Sequence, residues 1–327
     1  MRAIVCNAFK GIEALGFAEV DEPRPAANEV LVDVHAASVS YMDYLMSCGG
    51  YQMRPELPYV PGTDAAGIVL ACGDRVTRFK PGDRVSCGNW FGAFAERMVA
   101  KQSSVAMLPA NVDFTVGSTV MHTYLTAWYA LIERARLQAS ETVLVTGAAG
   151  GVGLACVEIA HLMGARVIAV VGGAAKAALV RAHGAAEVID HSCEDVRERV
   201  KALAGKGFDI CVDNVGGALF ATLARFMGWN GRLLPIGFTS GEIPSLAMNL
   251  PLLKNYSVVG VFVGAWMERY PEEAARASEK IMAWVGEGKL RPQVDRVLPL
   301  QQAGEAMSLV ANRSAMGRIV LQVRRDA

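Results

Sequence analysis

The stretch Val143-Leu144-Val145-Thr146-Gly147-Ala148-Ala149-Gly150-Gly151-Val152-Gly153 decides the fold of this chain. It begins as a short apolar strand, and from Gly151 to Met163 apolar residues recur at helical spacing. Small residues between a strand and a helix let the backbone approach a pyrophosphate, which can rest on the amides at the helix N-terminus. The three positions of the usual Gly-x-Gly-x-x-Gly fingerprint fall on Ala148, Gly150 and Gly153. The alternative is a packing turn without a ligand, but the strand and helix around it favour dinucleotide binding.

Strand-like and helix-like segments alternate from about residue 141 to 262. This alternation predicts parallel β-α units, with helices on both faces of one sheet. Residues 1 to about 120 differ, because short apolar strands are separated there by Gly/Pro turns such as Pro61-Gly62. That pattern predicts a small barrel-like domain. The chain returns to a helix, a second helix and a final strand after residue 272.

The end of the second strand indicates which dinucleotide binds. An NAD site usually places Asp or Glu there to accept a hydrogen bond from the ribose 2′-hydroxyl. The sequence at this point is Val170-Val171-Gly172-Gly173, without a carboxylate, and Lys176 follows. Because a carboxylate would repel a 2′-phosphate, its absence and the nearby cation favour NADP. The alternative for Lys176 is a solvated helix residue.

Composition excludes several other classes of function. Lys plus Arg and Asp plus Glu are both 32, so the formal net charge is zero and gives no electrostatic reason to bind nucleic acid or an anionic membrane. The seven cysteines include no Cys-x-x-Cys pair, which indicates reduced thiols in a cytoplasmic protein rather than a disulfide framework. The N-terminus lacks the pattern of a signal peptide.

Short motifs along nearly the whole chain resemble the medium-chain dehydrogenase/reductase superfamily. Within it, the sequence is similar to the zinc-free NADPH:quinone oxidoreductases related to zeta-crystallin. In addition to the glycine-rich turn, whose alanine is typical of this subfamily, the resemblance rests on Tyr41-Met42-Asp43, Gly49-Gly50-Tyr51, Val60-Pro61-Gly62-Thr63-Asp64-Ala65-Ala66-Gly67, Gly82-Asp83-Arg84-Val85, Gly92-Ala93-Phe94-Ala95-Glu96, Leu125-Thr126-Ala127-Trp128-Tyr129-Ala130-Leu131, Asp213-Asn214-Val215-Gly216, Lys254-Asn255-Tyr256-Ser257-Val258-Val259-Gly260 and Gly317-Arg318-Ile319-Val320-Leu321.

The resemblance implies an α/β fold in which a Rossmann doubly wound parallel sheet is inserted into a GroES-like β-barrel domain. The GroES-like catalytic domain is expected over 1–120 and 264–327, and the NADP-binding domain over 121–263. The nicotinamide is expected in the cleft between the domains. The apolar segment from about 256 to 263 is expected to be the last Rossmann strand, which in this family pairs with its copy in a homodimer.

Zinc-dependent relatives carry Cys and His ligands that this sequence lacks. Ser40 stands where the first ligand is expected, and Thr63 replaces the His of their Gly-His-Glu motif. The five histidines show no clustered ligand spacing. We therefore expect no bound metal. Without a Lewis acid to polarise an alcohol, reduction of an already electrophilic substrate is the better hypothesis.

The resulting hypothesis is hydride transfer from NADPH to a quinone or an α,β-unsaturated carbonyl, with the proton coming from water or a hydroxyl. The alternatives are a non-catalytic, crystallin-like NADPH-binding protein and, less favoured, an alcohol dehydrogenase. By residue-level matching, Tyr51 and Ser40 are the candidate substrate-contacting residues, although Tyr51 could equally be a packed loop aromatic. Asp43 is interpreted as structural rather than as a general acid.

The same matching gives the cofactor contacts. Thr126 is expected near the nicotinamide, Gly150 to Gly153 near the pyrophosphate, and three residues around the 2′-phosphate. The candidate cofactor-binding residues are Thr126, Gly150, Gly151, Val152, Gly153, Gly173, Lys176, His191, Asn214, Gly237, Phe238, Phe262, Val263 and Arg318. His191 could equally be a solvated residue.

Overall fold

A computed structural model of the chain describes residues 1–324. The strands are β1 (Arg2–Cys6), β2 (Leu15–Glu19), β3 (Glu29–Val39), β4 (Asp64–Cys72), β5 (Arg84–Gly88), β6 (Arg97–Lys101), β7 (Val105–Met107), β8 (Thr142–Thr146), β9 (Arg166–Val171), β10 (Glu187–Asp190), β11 (Phe208–Asp213), β12 (Met227–Pro235), β13 (Ser257–Val258), β14 (Val294–Pro299) and β15 (Arg318–Gln322). The α-helices are α1 (Tyr41–Ser47), α2 (Phe114–Gly117), α3 (Met121–Trp128), α4 (Gly151–Leu162), α5 (Ala174–Ala182), α6 (Val196–Ala204), α7 (Gly217–Leu223), α8 (Asn249–Lys254), α9 (Val263–Arg269), α10 (Pro271–Gly286) and α11 (Ala303–Ala311).

The chain forms two compact units. One consists of Met1–Leu125 together with the segment that starts at Ala265, and the other of Thr126–Gly264. We call them the split unit and the central unit. The domain limits inferred from the sequence, at 120 and 263, stay a prediction.

The central unit is built on one parallel sheet of six strands in the order β10-β9-β8-β11-β12-β13. The chain runs outward from β8 to β10, crosses back to β11 and continues outward to β13. This order is that of a Rossmann fold, so the predicted doubly wound sheet is confirmed. Its direction reverses between β8 and β11, and ligands of such sheets bind outside the carboxyl ends of the strands at that point.

Burial explains why these strands read as apolar runs. In β8 and β9 every residue after the first is buried, as expected for a parallel sheet that is covered on both faces. Helix α4 is buried along eight consecutive positions, Gly153 to Ala160. The core of this unit contains Leu144, Ile168, Phe208 and Leu233.

The split unit contains a mixed sheet in the order β14-β15-β3-β4-β5-β7, with β6 also paired to β3, and a separate β1-β2 hairpin. Strand β15 lies antiparallel to β3, with Ile319 opposite Val39. The C-terminal segment therefore completes the sheet that the N-terminal segment begins, as expected for the GroES-like domain. The hydrophobic core of this sheet includes the buried side chains of Phe94 and Met98.

The strand expected over 256–263 is wrong in its length. Only Ser257–Val258 form β13, and Val263 already begins α9. Val259 donates one further hydrogen bond to the carbonyl of Leu233. The ladder ends at Gly260, whose carbonyl accepts from Arg134 Nε at 2.9 Å and which has no side chain to pack on a sheet.

Within residues 1–324, no helix is both long enough and apolar enough to cross a membrane.

Candidate functional site

The glycine-rich turn joins β8 to α4, and its backbone leaves little space for side chains. Gly147 has a φ of +57°, which favours glycine, and Gly150 is the N-cap of α4. A Cβ at Gly153 would stand 2.3 Å from the carbonyl oxygen of Gly147, whereas one at Gly150 would lie 3.5 Å from the same oxygen. Gly153 is therefore required by packing, and Gly150 leaves the backbone open toward a ligand.

A polar cluster of the predicted cofactor residue Asn214 with Thr146 and Asp213, which were not predicted, holds this turn against β11. The hydroxyl of Thr146 donates to Asp213 Oδ1 at 2.6 Å, and the Thr146 oxygen accepts the Asn214 N–H at 2.9 Å. Asn214 Nδ2 also donates to the Thr146 carbonyl. Burial raises the pKa of Asp213, while the N–H groups of Val215 and Gly216 hydrogen bond to its carboxylate. Asn214 thus lies at the point where the sheet reverses direction.

A second glycine turn, Gly172-Gly173, follows β9, and Gly173 is the N-cap of α5. Its φ is +98°, and its N–H donates to Asp190 Oδ1 at 2.7 Å. The His191 ring lies over Gly172, where a Cβ would meet its Cε1 atom at 2.6 Å. Lys176 is half-buried in the first turn of α5. The three residues predicted to surround the 2′-phosphate therefore follow two neighbouring strands. Gly173 and Lys176 follow β9, and His191 follows β10.

Asp190 was missed because its contact with Gly173 is made across two strands. Hydrogen bonds from the Gly173 N–H and from Ser192 lower its pKa to about 2. The signal available in the sequence was its position as the last residue of the short strand that follows Lys176.

The other predicted cofactor residues of the central unit follow further strands or lie in α3. Gly237 and Phe238 follow β12 after one intervening residue, and the N–H of Gly237 donates to the Asp213 carbonyl at 3.4 Å. Phe262 is partly exposed ahead of α9, and Val263 begins that helix. Thr126 is buried in α3.

The strand register aligns most of these positions at one edge of the sheet. Thr146 lies opposite Val170, Asp190 opposite Val171, and Asp213 opposite Pro235. The glycine-rich turn, the Gly173 turn, Asn214 and Gly237 therefore all follow the carboxyl ends of neighbouring strands. This is where a dinucleotide binds such a sheet, and the close backbone packing at Gly153 fits that use.

Ser40 and Asp43 form a capping box at the start of α1. The Ser40 hydroxyl donates to Asp43 Oδ2 at 2.6 Å and accepts the Asp43 N–H at 3.1 Å, while the Ser40 N–H donates to the same carboxylate oxygen. Both residues are buried. Asp43 therefore has the structural role that the sequence indicated, and the Ser40 hydroxyl is already engaged in the same motif.

Tyr51 lies in the loop after α1, half-buried in a small cluster with Met42, Met46 and Tyr59. Its ring centroid is 6.5 Å from that of Trp90. Burial raises the pKa of the Tyr51 phenol, so the group stays protonated at neutral pH and can donate a hydrogen bond. Its role toward a substrate stays a prediction.

Arg318 is buried in the split unit. Its Nη2 atom lies 3.1 Å from Asp64 Oδ2 and 2.6 Å from the Ser38 hydroxyl. Asp64 Oδ1 accepts the N–H of His122 at 3.0 Å. Burial raises the pKa of Asp64 to about 7 against the opposing effect of Arg318, and lowers that of His122 to about 4. These contacts engage the Nη2 atom, whereas the buried Nε atom has no hydrogen-bond partner among residues 1–324. The cofactor contact of Arg318 stays a prediction.

Two family models match the chain. The model described as alcohol dehydrogenase GroES-like domain covers residues 26–110, and the one described as zinc-binding dehydrogenase covers residues 151–280. Among residues 1–324, no group of three or more His, Cys, Asp or Glu side chains is arranged to hold a metal ion.

Similar proteins cover nearly the whole length of the chain. Quinone oxidoreductase-like protein 2 homolog from Nematostella vectensis is 35% identical over 99% of this chain and 89% of the relative. Rat quinone oxidoreductase is 33% identical over 98% and 97%. The crystal structure of Escherichia coli quinone oxidoreductase complexed with NADPH superposes with a TM-score of 0.91 at 28% identity, covering 99% of this chain and 100% of the other. The chain is thus an NAD(P)-dependent oxidoreductase, and it belongs to the quinone oxidoreductase family of the medium-chain dehydrogenases/reductases.

Proposed function

We propose that the protein reduces a quinone or an α,β-unsaturated carbonyl with NADPH, without zinc. The observation that carries this proposal is the pairing of two glycine turns at one edge of the central sheet. The first turn leads into α4, and the second, at Gly172-Gly173, leads into α5 with Lys176 in its first turn. Strand β9 ends without a carboxylate of its own, which suits a 2′-phosphate.

In this proposal the amides of Gly150, Gly151, Val152 and Gly153 face the pyrophosphate, where the α4 dipole favours negative charge. Gly173, Lys176 and His191 surround the 2′-phosphate. Thr126 is the proposed contact on the nicotinamide side. The other proposed cofactor contacts of the central unit are Asn214, Gly237, Phe238, Phe262 and Val263, and Arg318 is the candidate from the C-terminal segment. When bound, NADPH supplies the hydride. The names of the quinone oxidoreductase relatives support the substrate class.

The Tyr51 phenol is the proposed hydrogen-bond donor to the substrate oxygen, since a phenol is protonated at neutral pH and burial raises its pKa further. Ser40 is the second candidate, although its hydroxyl caps α1. The donor chemistry of the split unit supports a reaction without zinc. Ser40 and Thr63 are weak ligands, and Asp64 is engaged by Arg318.

The test is a steady-state panel of ortho-quinones, para-quinones, enones and primary alcohols, with metal analysis of the same preparation. We expect NADPH oxidation with at least one quinone or enone, unchanged by a chelator. NADPH binding without turnover across the panel would favour the non-catalytic NADPH-binding alternative. Stoichiometric zinc together with alcohol oxidation would favour an alcohol dehydrogenase.

We also propose a homodimer through the β13 edge of the central unit. Strand β13 has β12 as its one neighbour in the described sheet, and the surrounding apolar side chains are exposed. Trp229 is 68% exposed and Leu252 is 79% exposed, and Leu253 and the β13 residue Val258 are exposed as well. An apolar strand edge of this kind is an aggregation liability unless it is paired, and a second copy of the same edge would cover it.

A further inference from the structure

Strand β9 ends without a carboxylate, but Asp190 of the neighbouring strand β10 places one beside the Gly173 turn. Its Oδ1 atom accepts three hydrogen bonds: from the Gly173 N–H at 2.7 Å, from the Ser192 hydroxyl at 2.6 Å and from the Ser192 N–H at 3.0 Å. In an NAD site, a carboxylate near this edge accepts from the ribose 2′-hydroxyl instead. Here the chain's own donors engage the oxygen that faces Gly173.

These hydrogen bonds hold a backbone conformation that α5 needs. Gly173 is the N-cap of α5, and its φ of +98° lies in the region that side-chain-bearing residues rarely adopt. Because Gly173 has no side chain, it cannot cap the helix itself, so the first amides of α5 keep their donors for an anion. Asp190, at the end of the neighbouring strand β10, fixes the peptide that precedes Gly173 by accepting the Gly173 N–H.

The turn after β10 is held by the same residue. The Asp190 N–H donates to Glu194 Oε2 at 2.7 Å, and Glu194 in turn pairs with Arg199 at 2.7 Å. His191 lies within this turn, and its N–H donates to the carbonyl of Val171 at 2.9 Å. Asp190 therefore connects the two turns that carry Gly173 and His191.

We propose that Asp190 is a positioning residue for the 2′-phosphate end of NADPH and not an acceptor for the ribose of NAD. The inference rests on the proposed function, in which NADPH binds at this edge. Asp190 keeps the Gly173 peptide and the His191 turn in register, so that the α5 amides and Lys176 converge on one phosphate. Its three hydrogen bonds come from neutral donors and hold Oδ1 against the Gly173 turn, so Asp190 keeps its negative charge and the positive charge for the phosphate comes from Lys176.

The test compares Asp190→Ala with Asp190→Asn, whose Oδ1 can still accept the Gly173 N–H. Calorimetry gives the dissociation constants of 2′,5′-ADP and 5′-AMP, which need no turnover. We expect Asp190→Ala to weaken 2′,5′-ADP binding about tenfold, the value of one charge-assisted hydrogen bond, and Asp190→Asn to weaken it by less than about threefold. Asp195→Ala is the matched control, because it removes the N-cap of α6 without touching Gly173.

Two results would overturn the positioning role alone. One is wild-type affinity of Asp190→Ala for 2′,5′-ADP, and the other is a gain of about tenfold in Asp190→Asn, which would show a carboxylate that repels the phosphate. By contrast, a wild-type protein that binds 5′-AMP as tightly as 2′,5′-ADP would overturn the NADPH assignment and the inference with it. Thermal unfolding of each variant separates a local effect from a general loss of structure.

Discussion

The carbonyl oxygen of Gly147 and the α-carbon of Gly153 are in direct backbone contact, because any side chain at Gly153 would begin 2.3 Å from that oxygen. The third glycine of the turn is thus fixed by helix-strand packing, whereas Gly150 at the N-cap has room for a methyl group. Because of this difference, substitution of Gly153 tests the stability of the fold, whereas substitution of Gly150 tests cofactor binding.

Gly153→Ala is expected to destabilise the protein by about 2 kcal/mol, since the methyl group must displace backbone rather than a flexible side chain. Gly150→Ala is expected to change the free energy of unfolding by less than about 1 kcal/mol but to weaken NADPH binding, since its methyl group would stand on the phosphate side. Urea unfolding and NADPH fluorescence titration measure the two effects. Equal destabilisation by both substitutions would contradict the assignment.

Lys176→Ala is expected to raise the KM for NADPH about tenfold and to leave that for NADH unchanged, because one charge-assisted contact to the 2′-phosphate is lost. Lys206→Ala is the control, since Lys206 precedes β11 at the opposite edge of the sheet. An unchanged ratio of the two KM values in Lys176→Ala would remove this residue from the 2′-phosphate site.

Tyr51→Phe is expected to lower kcat/KM for the quinone or enone substrate about tenfold through the loss of one hydrogen bond, with the KM for NADPH unchanged. Tyr59→Phe, in the same apolar cluster, serves as the control and should retain wild-type kinetics. Wild-type kinetics in Tyr51→Phe would mean that the ring packs on the split unit without contacting substrate.

Ser40→Ala is expected to cost about 1 kcal/mol of stability, because it removes the N-cap of α1. Substitution by Thr keeps the hydroxyl and should restore most of that loss. If Ser40→Ala lowered kcat with no change in the urea midpoint, the hydroxyl would act on the substrate and its capping role would be minor.

Asp64 makes stability depend on pH. Its pKa is raised by burial from 3.8 to about 7, so the folded protein holds a proton that the unfolded chain has released between those values. The free energy of unfolding contributed by this group therefore falls as the pH rises from about 4 to 7, with a limit of ~1.4 kcal/mol per pH unit for one proton. Asp64→Asn should flatten this part of the profile. Parallel urea-midpoint profiles for the two proteins between pH 4 and 8 would contradict it.

Leu252→Glu is expected to shift the protein from dimer to monomer in light scattering at micromolar concentration, because it puts charge into the exposed apolar surface beside β13. Phe17→Glu, at an exposed position of β2, is the control and should leave the mass unchanged. A wild-type monomer would contradict the dimer outright.

Much of the fold could be predicted because its signals are local. The glycine turn, the alternation of strands and helices and the Gly/Pro turns each depend on a few neighbouring residues. The 256–263 run was misjudged because an apolar segment does not show where its ladder stops, and Gly260 was the cue.

The candidate site was harder to predict, because its contacts join distant residues. Asp190 reaches Gly173 only because β10 pairs with β9, and Asp213 reaches Thr146 only because β11 pairs with β8. The capping box of Ser40 and Asp43, by contrast, joins residues only three positions apart.

The pairing of β15 with β3 also has a consequence for synthesis. Ser38 and Arg318, which hydrogen bond across this pair, are 280 residues apart. On the ribosome the central unit is complete in one continuous piece before β15 has been made. Residues 36–39 of β3 therefore wait for their partner β15 until the whole central unit has been synthesised, although β6 already pairs with the earlier part of β3.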